Sequence, residues 1–126
     1  MRTIKFRAWD KQNKTFHTWG ALKHLPLWEY IDNQNYELIQ FTGLKDKNGK
    51  EIYEGDILIH YKRDRVTAVA PVYKVCWSEK FARFILKFRN VWNDGKPILY
   101  EGFGNKIIEV IGNIYENPKL LNSEKE

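Results

Sequence analysis

The stretch FTGLKDKNGKEIYEGD, from Phe41 to Asp56, places three glycines and a group of turn-forming residues between apolar positions. Asn48 and Gly49 form a dipeptide that readily supplies the two positive-φ positions of a type I′ hairpin turn. Gly55 interrupts the chain again, and Asp56 then opens a new apolar run. The stretch therefore predicts a hairpin followed by the entry into a second β-structure.

Strand-forming segments continue on both sides of this stretch. They show a two-residue period or are rich in β-branched and aromatic residues. These segments are Thr3–Trp9, Thr15–Trp19, Tyr36–Thr42, Glu51–Tyr53, Asp56–Lys62, Val66–Trp77, Phe81–Arg89 and Lys106–Tyr115. Gly43 is expected to end the strand before the turn, and Gly112 is expected to form a bulge or a barrel bend. Many short strands joined by glycine-rich turns indicate a mainly β protein, an antiparallel barrel or sandwich.

The segment Gly20–Asn35 has no sustained helical period, and Pro26 interrupts it. We expect an irregular excursion with room for one short helical turn. A soft boundary near Gly55 divides the chain into an N-terminal β-rich subdomain, 1–55, a C-terminal barrel of about five strands, 56–121, and a frayed tail, 122–126.

The composition fits a soluble globular protein. Of the 126 residues, 43% are hydrophobic, which is enough to form a packed core. Cys76 is the single cysteine, so no internal disulfide can form, and this suits a reducing cytosol. The N-terminus lacks the apolar run of a signal peptide, and no segment approaches the length of a membrane-spanning helix.

No residue pattern supports an enzyme, a metal site or a cofactor. His17, His24 and His60 lack the short spacing of a zinc site. The densest acidic group could perform acid–base chemistry if its members were held close together, but turn and strand-entry roles are the favoured interpretation. This group consists of Asp46, Glu51, Glu54 and Asp56.

The excess positive charge lies in the middle of the chain. The net charge is +5, and the segment from Asp56 to Tyr100 carries 9 Lys/Arg against 4 Asp/Glu. Basic residues interleaved with aromatic rings suit single-stranded nucleic acid, although a solvated outer face of a barrel or a protein interface would look similar. The candidate nucleic-acid or partner-binding residues are Lys62, Arg63, Arg65, Lys74, Trp77, Arg83, Lys87 and Arg89.

Three blocks of sequence, spread over the chain, resemble the YopX family. They are IKFRAWD at Ile4–Asp10, FTGLKDKNGKEIYEGDIL at Phe41–Leu58 and EVIGNIYENPKLL at Glu109–Leu121. The resemblance implies a small protein encoded by phages and prophages of Gram-positive bacteria, acting in the cytoplasm of the host. It also implies an SH3-like barrel in the C-terminal part. The family offers no catalytic or binding residues to carry over, and the segment Tyr61–Gly104 matches no motif.

These observations predict a non-enzymatic phage accessory protein that acts by binding. One hypothesis is a nucleic-acid ligand at the basic residues. The other is a protein–protein interaction with a host or phage factor. Exposed strand edges also make a homodimer a reasonable expectation.

Overall fold

The structure is a computed structural model, and it describes residues 3–60, 72–88, 96–97 and 108–125. The strands are β1 (Phe6–Asp10), β2 (Thr15–His17), β3 (Tyr36–Lys45), β4 (Glu51–Tyr53), β5 (Asp56–His60), β6 (Val72–Ser78), β7 (Arg83–Phe88), β8 (Lys96–Pro97) and β9 (Ile108–Asn113). The helices are α1 (Trp19–Leu22), α2 (Trp28–Ile31) and a C-terminal 3-10 helix (Pro118–Lys125).

The described strands form two antiparallel sheets, which confirms that the protein is mainly β. The first sheet has the order β2-β1-β3-β4, and the second has the order β8-β7-β6-β5-β9. The long strand β3 pairs with two neighbours. Its first half pairs with β1, and its second half pairs with β4. No helix in the described part of the chain is long and apolar enough to cross a membrane.

The hairpin between β3 and β4 differs from the sequence prediction in two ways. Gly43 does not end the strand, because it adopts a φ of +92° within β3, where the pairing with β4 shifts register. The turn is not type I′, since Gly49 has a positive φ but Asn48 does not. Instead, the Gly49 N–H donates to the Asp46 carbonyl at 3.0 Å, and the Asp46 N–H donates to the Lys50 carbonyl at 2.8 Å. A single left-handed glycine is enough for this wider turn.

Two short helices form where one helical turn was expected. The first, α1, begins at Trp19, which the sequence had placed at the end of a strand. Its Leu22 is fully buried with Ala8 of β1 and Tyr30 of α2. The excursion between β2 and β3 is therefore a packed cover on the first sheet, although its sequence lacks an amphipathic period.

The second sheet buries a core formed by residues of its strands together with Ile52 of β4. The buried cluster consists of Ile52, Leu58, Tyr73, Val75, Leu86 and Ile108. The predicted bulge at Gly112 is present, since Ile57 pairs with Gly112 while Leu58 pairs with Val110. A Cβ at Gly112 would lie 2.6 Å from Asn117 Oδ1 and 2.9 Å from Leu120 Cδ1, so the bulge lets the 3-10 helix pack closely on the sheet.

Candidate functional site

The acidic group of the sequence contains a buried ion pair that joins the two sheets. The Asp56 side chain, at the start of β5, is 3% exposed and accepts a 2.7 Å hydrogen bond from Arg7 Nη2 of β1. Its second oxygen accepts the Tyr53 N–H at 2.8 Å. The Arg7 guanidinium lies between the rings of Phe16 and Tyr53, with its Cζ 4.2 and 4.4 Å from their centroids. Burial raises the pKa of Asp56, and Arg7 and the Tyr53 N–H offset part of that rise.

Asp46 fixes the turn and connects it to the second sheet. Its carboxylate accepts the N–H groups of Asn48 and Lys50, each at 2.9 Å, and also the N–H of Val110 in β9 at 2.9 Å. The backbone-binding roles predicted for Asp46 and Asp56 are confirmed. Both carboxylates are occupied by structural hydrogen bonds.

The hydrogen bonds of the Asp46 carboxylate predict that the fold loses stability in acid. Burial raises the pKa of Asp46, but its three backbone hydrogen bonds outweigh burial, so the pKa lies below its ordinary value. A carboxyl whose folded pKa is depressed stabilises the fold above its unfolded pKa, about 3.9, and loses this contribution as the pH falls through the folded pKa. We expect the urea midpoint to fall between about pH 5 and about pH 2, and to fall less in Asp46→Asn. The exposed Asp32→Asn is the control. If the urea midpoint depended on pH equally in Asp46→Asn and Asp32→Asn, the loss of stability in acid would not come from Asp46.

The other two acidic residues make separate contacts. Glu51 of β4 pairs with Lys5, which lies just before β1. Burial raises the pKa of Glu54, whose backbone N–H donates to the Gln40 carbonyl at 3.0 Å. Among the described residues, no three His, Cys, Asp or Glu side chains are grouped so that they could hold a metal ion.

The structure brings three of the predicted basic residues to one face of the β6–β7 hairpin. Lys74 pairs directly with Lys87, and Arg83 pairs with Ser78 four residues further along the same face. We call Lys74, Arg83 and Lys87 the basic hairpin face. The other predicted cations, Lys62, Arg63, Arg65 and Arg89, lie outside the described residues.

Trp77 does not share that face. It pairs with Phe84 on the opposite side of the sheet, where the two rings meet edge to face at 5.1 Å. Phe81 lies in the turn, although the sequence had placed it in the strand, because Ala82 takes a φ of +53° and its N–H donates to the Ser78 carbonyl. Phe81 is 43% exposed, with Arg83 Cζ 4.9 Å from its ring centroid. The aromatic neighbour of the cations is therefore Phe81.

The middle of the basic hairpin face is partly apolar. Ile85, which lies between Arg83 and Lys87 on this face, is 2% exposed and pairs with Cys76. Burial raises the pKa of the Cys76 thiol, while the charges of Lys74 and Lys87 act in the opposite direction. The thiol is consequently harder to ionise than a free cysteine.

Lys80 was not among the predicted cations, and its Nζ lies 5.3 Å from the Phe81 ring centroid. A positive-φ residue two positions after Lys80 turns the chain back on itself, and an alanine there gives no sequence signal. Arg7 was not predicted either, because its partner Asp56 lies 49 residues away. The alternation in β1 identified the strand but not the partner.

Comparisons with known proteins give one consistent result. The family model described as "YopX protein" matches residues 20–122. The crystal structure of protein EF1440 from Enterococcus faecalis is similar, with 27% identity, a TM-score of 0.63, and coverage of 96% of this chain and 99% of that chain. The crystal structure of protein yopX from Bacillus subtilis has 23% identity and a TM-score of 0.61, and covers 95% and 98% of the two chains. A comparison with curated proteins finds no match. The chain belongs to the YopX family.

Proposed function

We propose that this protein is a phage-encoded accessory protein that works in the host cytoplasm by binding and catalyses no reaction. In this proposal the second sheet forms an SH3-like barrel, and the basic hairpin face binds single-stranded nucleic acid. The family resemblance supports the phage origin and the barrel. The geometry of β6 and β7 supports the ligand.

The observation that carries the proposal is the direct pairing of Lys74 with Lys87. Residues directly opposite each other on neighbouring antiparallel strands lie close together, so this pairing concentrates positive charge at one place on the face. A phosphate group would be attracted to that charge. Arg83 extends the positive charge along the same face, toward the hairpin turn.

Phe81 supports a single-stranded ligand. Its ring is 43% exposed next to Arg83, at the end of the line of cations. Bases of an unpaired strand stack on exposed rings with about 1–3 kcal/mol each, while the phosphates contact the cations. Trp77, equally exposed on the other side of the hairpin end, offers a second ring that a strand passing over the turn could reach.

The proposal predicts a salt-dependent affinity for a single-stranded oligonucleotide. In fluorescence anisotropy at low salt, Lys74→Ala/Arg83→Ala/Lys87→Ala should bind about tenfold or more weakly than the wild type, with a shallower dependence on salt. The control is Lys23→Ala/Lys45→Ala/Lys119→Ala, which removes the same charge from exposed positions elsewhere.

Two results would contradict the proposal. One is the absence of any anisotropy change at low salt with single-stranded and double-stranded probes. The other is an equal loss in both triple variants, because that would show attraction to net charge rather than to the basic hairpin face. A single saturable partner recovered from host lysate, lost in the first variant, would favour a protein ligand at this face.

A further inference from the structure

A groove of opposite electrostatic character lies on the first sheet, between α2 and the start of β3. Its volume is about 640 Å³, and its walls include Trp28, Tyr30 and Tyr36 together with the carboxylates of Glu29 and Asp32. We call these five residues the acidic groove. The excursion that the sequence predicted as irregular therefore builds a concave surface.

The charge around the groove contrasts with that of the chain. From His24 to Leu44 the sequence contains three acidic residues and no Lys or Arg, although the protein carries a net charge of +5. Aromatic rings attract cations through their negative faces, and carboxylates add a full negative charge. The groove is therefore complementary to a guanidinium or ammonium group.

The aromatic side chains of the acidic groove are ordered by contacts with residues outside it. Tyr30 is 6% exposed, and its hydroxyl lies 3.2 Å from His17 Nδ1. His17 Nε2 lies 3.3 Å from Asp10 Oδ2, and the carboxylate of Asp10 is fixed by Asn35 and by the turn after β1. Tyr36 meets Tyr30 edge to face at a centroid distance of 4.8 Å. A wall that is already ordered loses little entropy when a ligand binds.

The rim of the groove indicates a peptide rather than a small cation. Leu25 and Trp28, which line the groove, are 47% and 62% exposed, and Ile31, three residues after Trp28 in the chain, is 60% exposed. Exposed aromatic and aliphatic side chains that flank a polar recess are typical of protein interaction sites. A segment that carries both basic and apolar side chains would use the recess and the rim together.

We propose that the acidic groove binds a basic segment of a partner protein, with an arginine or lysine side chain against Tyr36 and Trp28, and apolar neighbours on the rim. Glu29 and Asp32 supply the counter-charge. This site is separate from the basic hairpin face and has the opposite charge, so the protein would hold an anionic ligand and a cationic partner at two different surfaces.

The test uses a short fluorescein-labelled peptide of alternating arginine and leucine, together with a matched peptide in which glutamine replaces arginine. The arginine peptide should bind to the full chain and shift the Trp28 indole resonance in an NMR titration. Glu29→Gln/Asp32→Asn keeps the shape of the groove, and we expect it to weaken binding about tenfold. Glu79→Gln/Glu116→Gln, which removes two exposed carboxylates elsewhere, should bind like the wild type.

Three outcomes would overturn the proposal. Equal binding of the glutamine peptide would show that charge does not matter. Equal weakening in both double variants would show unspecific attraction to an acidic surface. Self-association of the protein alone that is lost in Glu29→Gln/Asp32→Asn would show that a second copy occupies the groove. Nucleic-acid binding by Glu29→Gln/Asp32→Asn should remain at the wild-type level. A wrong proposal for the acidic groove can therefore be distinguished from a wrong proposal for the basic hairpin face.

Discussion

Replacing Asp56 with alanine should lower the free energy of unfolding by about 3 kcal/mol, because it leaves a buried guanidinium without its counter-ion. Arg7 is enclosed by Phe16 and Tyr53, and its Nε has no hydrogen-bond partner among the described residues, so the guanidinium depends on Asp56 for neutralisation. The Tyr53 N–H would lose its acceptor as well. Urea denaturation at neutral pH measures the change.

Two comparisons isolate the contribution of burial. Glu37→Ala breaks the ion pair with Lys11, in which both side chains are 51% exposed, and it should cost less than about 1 kcal/mol. Arg7→Met/Asp56→Leu replaces the buried pair with apolar side chains and should recover most of the stability lost in Asp56→Ala. If Asp56→Ala were no more destabilising than Glu37→Ala, the ion pair would not be the link between the sheets.

Replacing Gly55 with alanine should cost about 3 kcal/mol, the sum of backbone strain and overpacking. Gly55 has a φ of +90°, and an added Cβ would lie 2.9 Å from Tyr115 Cε2. The Tyr115 ring cannot retreat easily, since it packs against Trp9 and Phe16 at centroid distances of 5.6 and 5.9 Å. Chemical or thermal unfolding of the variant gives the loss.

Gly43 provides a matched control for Gly55. Its φ of +92° is nearly the same, but an added Cβ would meet nothing within 4 Å. Gly43→Ala should therefore show the strain alone, about 1–2 kcal/mol. Equal losses in the two variants would mean that Tyr115 yields to the methyl group and that the close contact is not required.

Local rules predicted much of the segment Phe41–Asp56. The strand, the turn around Gly49 and the strand entry at Asp56 all follow from the conformational preferences of single residues. The exact turn type was wrong because side-chain hydrogen bonds to Asp46 hold Asn48 outside the left-handed region. The dipeptide Asn-Gly is compatible with more than one turn, and the surrounding contacts select between them.

Contacts between distant residues could not be predicted. Arg7 and Asp56 are 49 residues apart, and Asp46 and Val110 are 64 apart. The period of two in β1 and β7 shows which side chains share a face, but it does not show what lies opposite that face. For this reason the cations of β7 were predicted together with Trp77, which lies on the other face of the sheet.

The acidic groove was missed for a different reason. Three of its five residues lie in α2, Asp32 follows that helix and Tyr36 begins β3. A helix of four residues is too short to show a periodic apolar stripe in the sequence, so nothing there predicted a surface. One signal was present in the sequence, namely the absence of Lys and Arg between Lys23 and Lys45 in a basic protein.

The position of β9 has a consequence for how the chain assembles. This strand pairs with β5, and it also meets the β3–β4 turn, where the Lys47 N–H donates to the Ile108 carbonyl and Asp46 receives the Val110 N–H. It is the last of the described strands to leave the ribosome, and contacts between such distant residues form slowly. Until it docks, β5 presents an unpaired edge to which a strand from another molecule could add. The nascent protein is therefore most exposed to mispairing just before its final strand arrives.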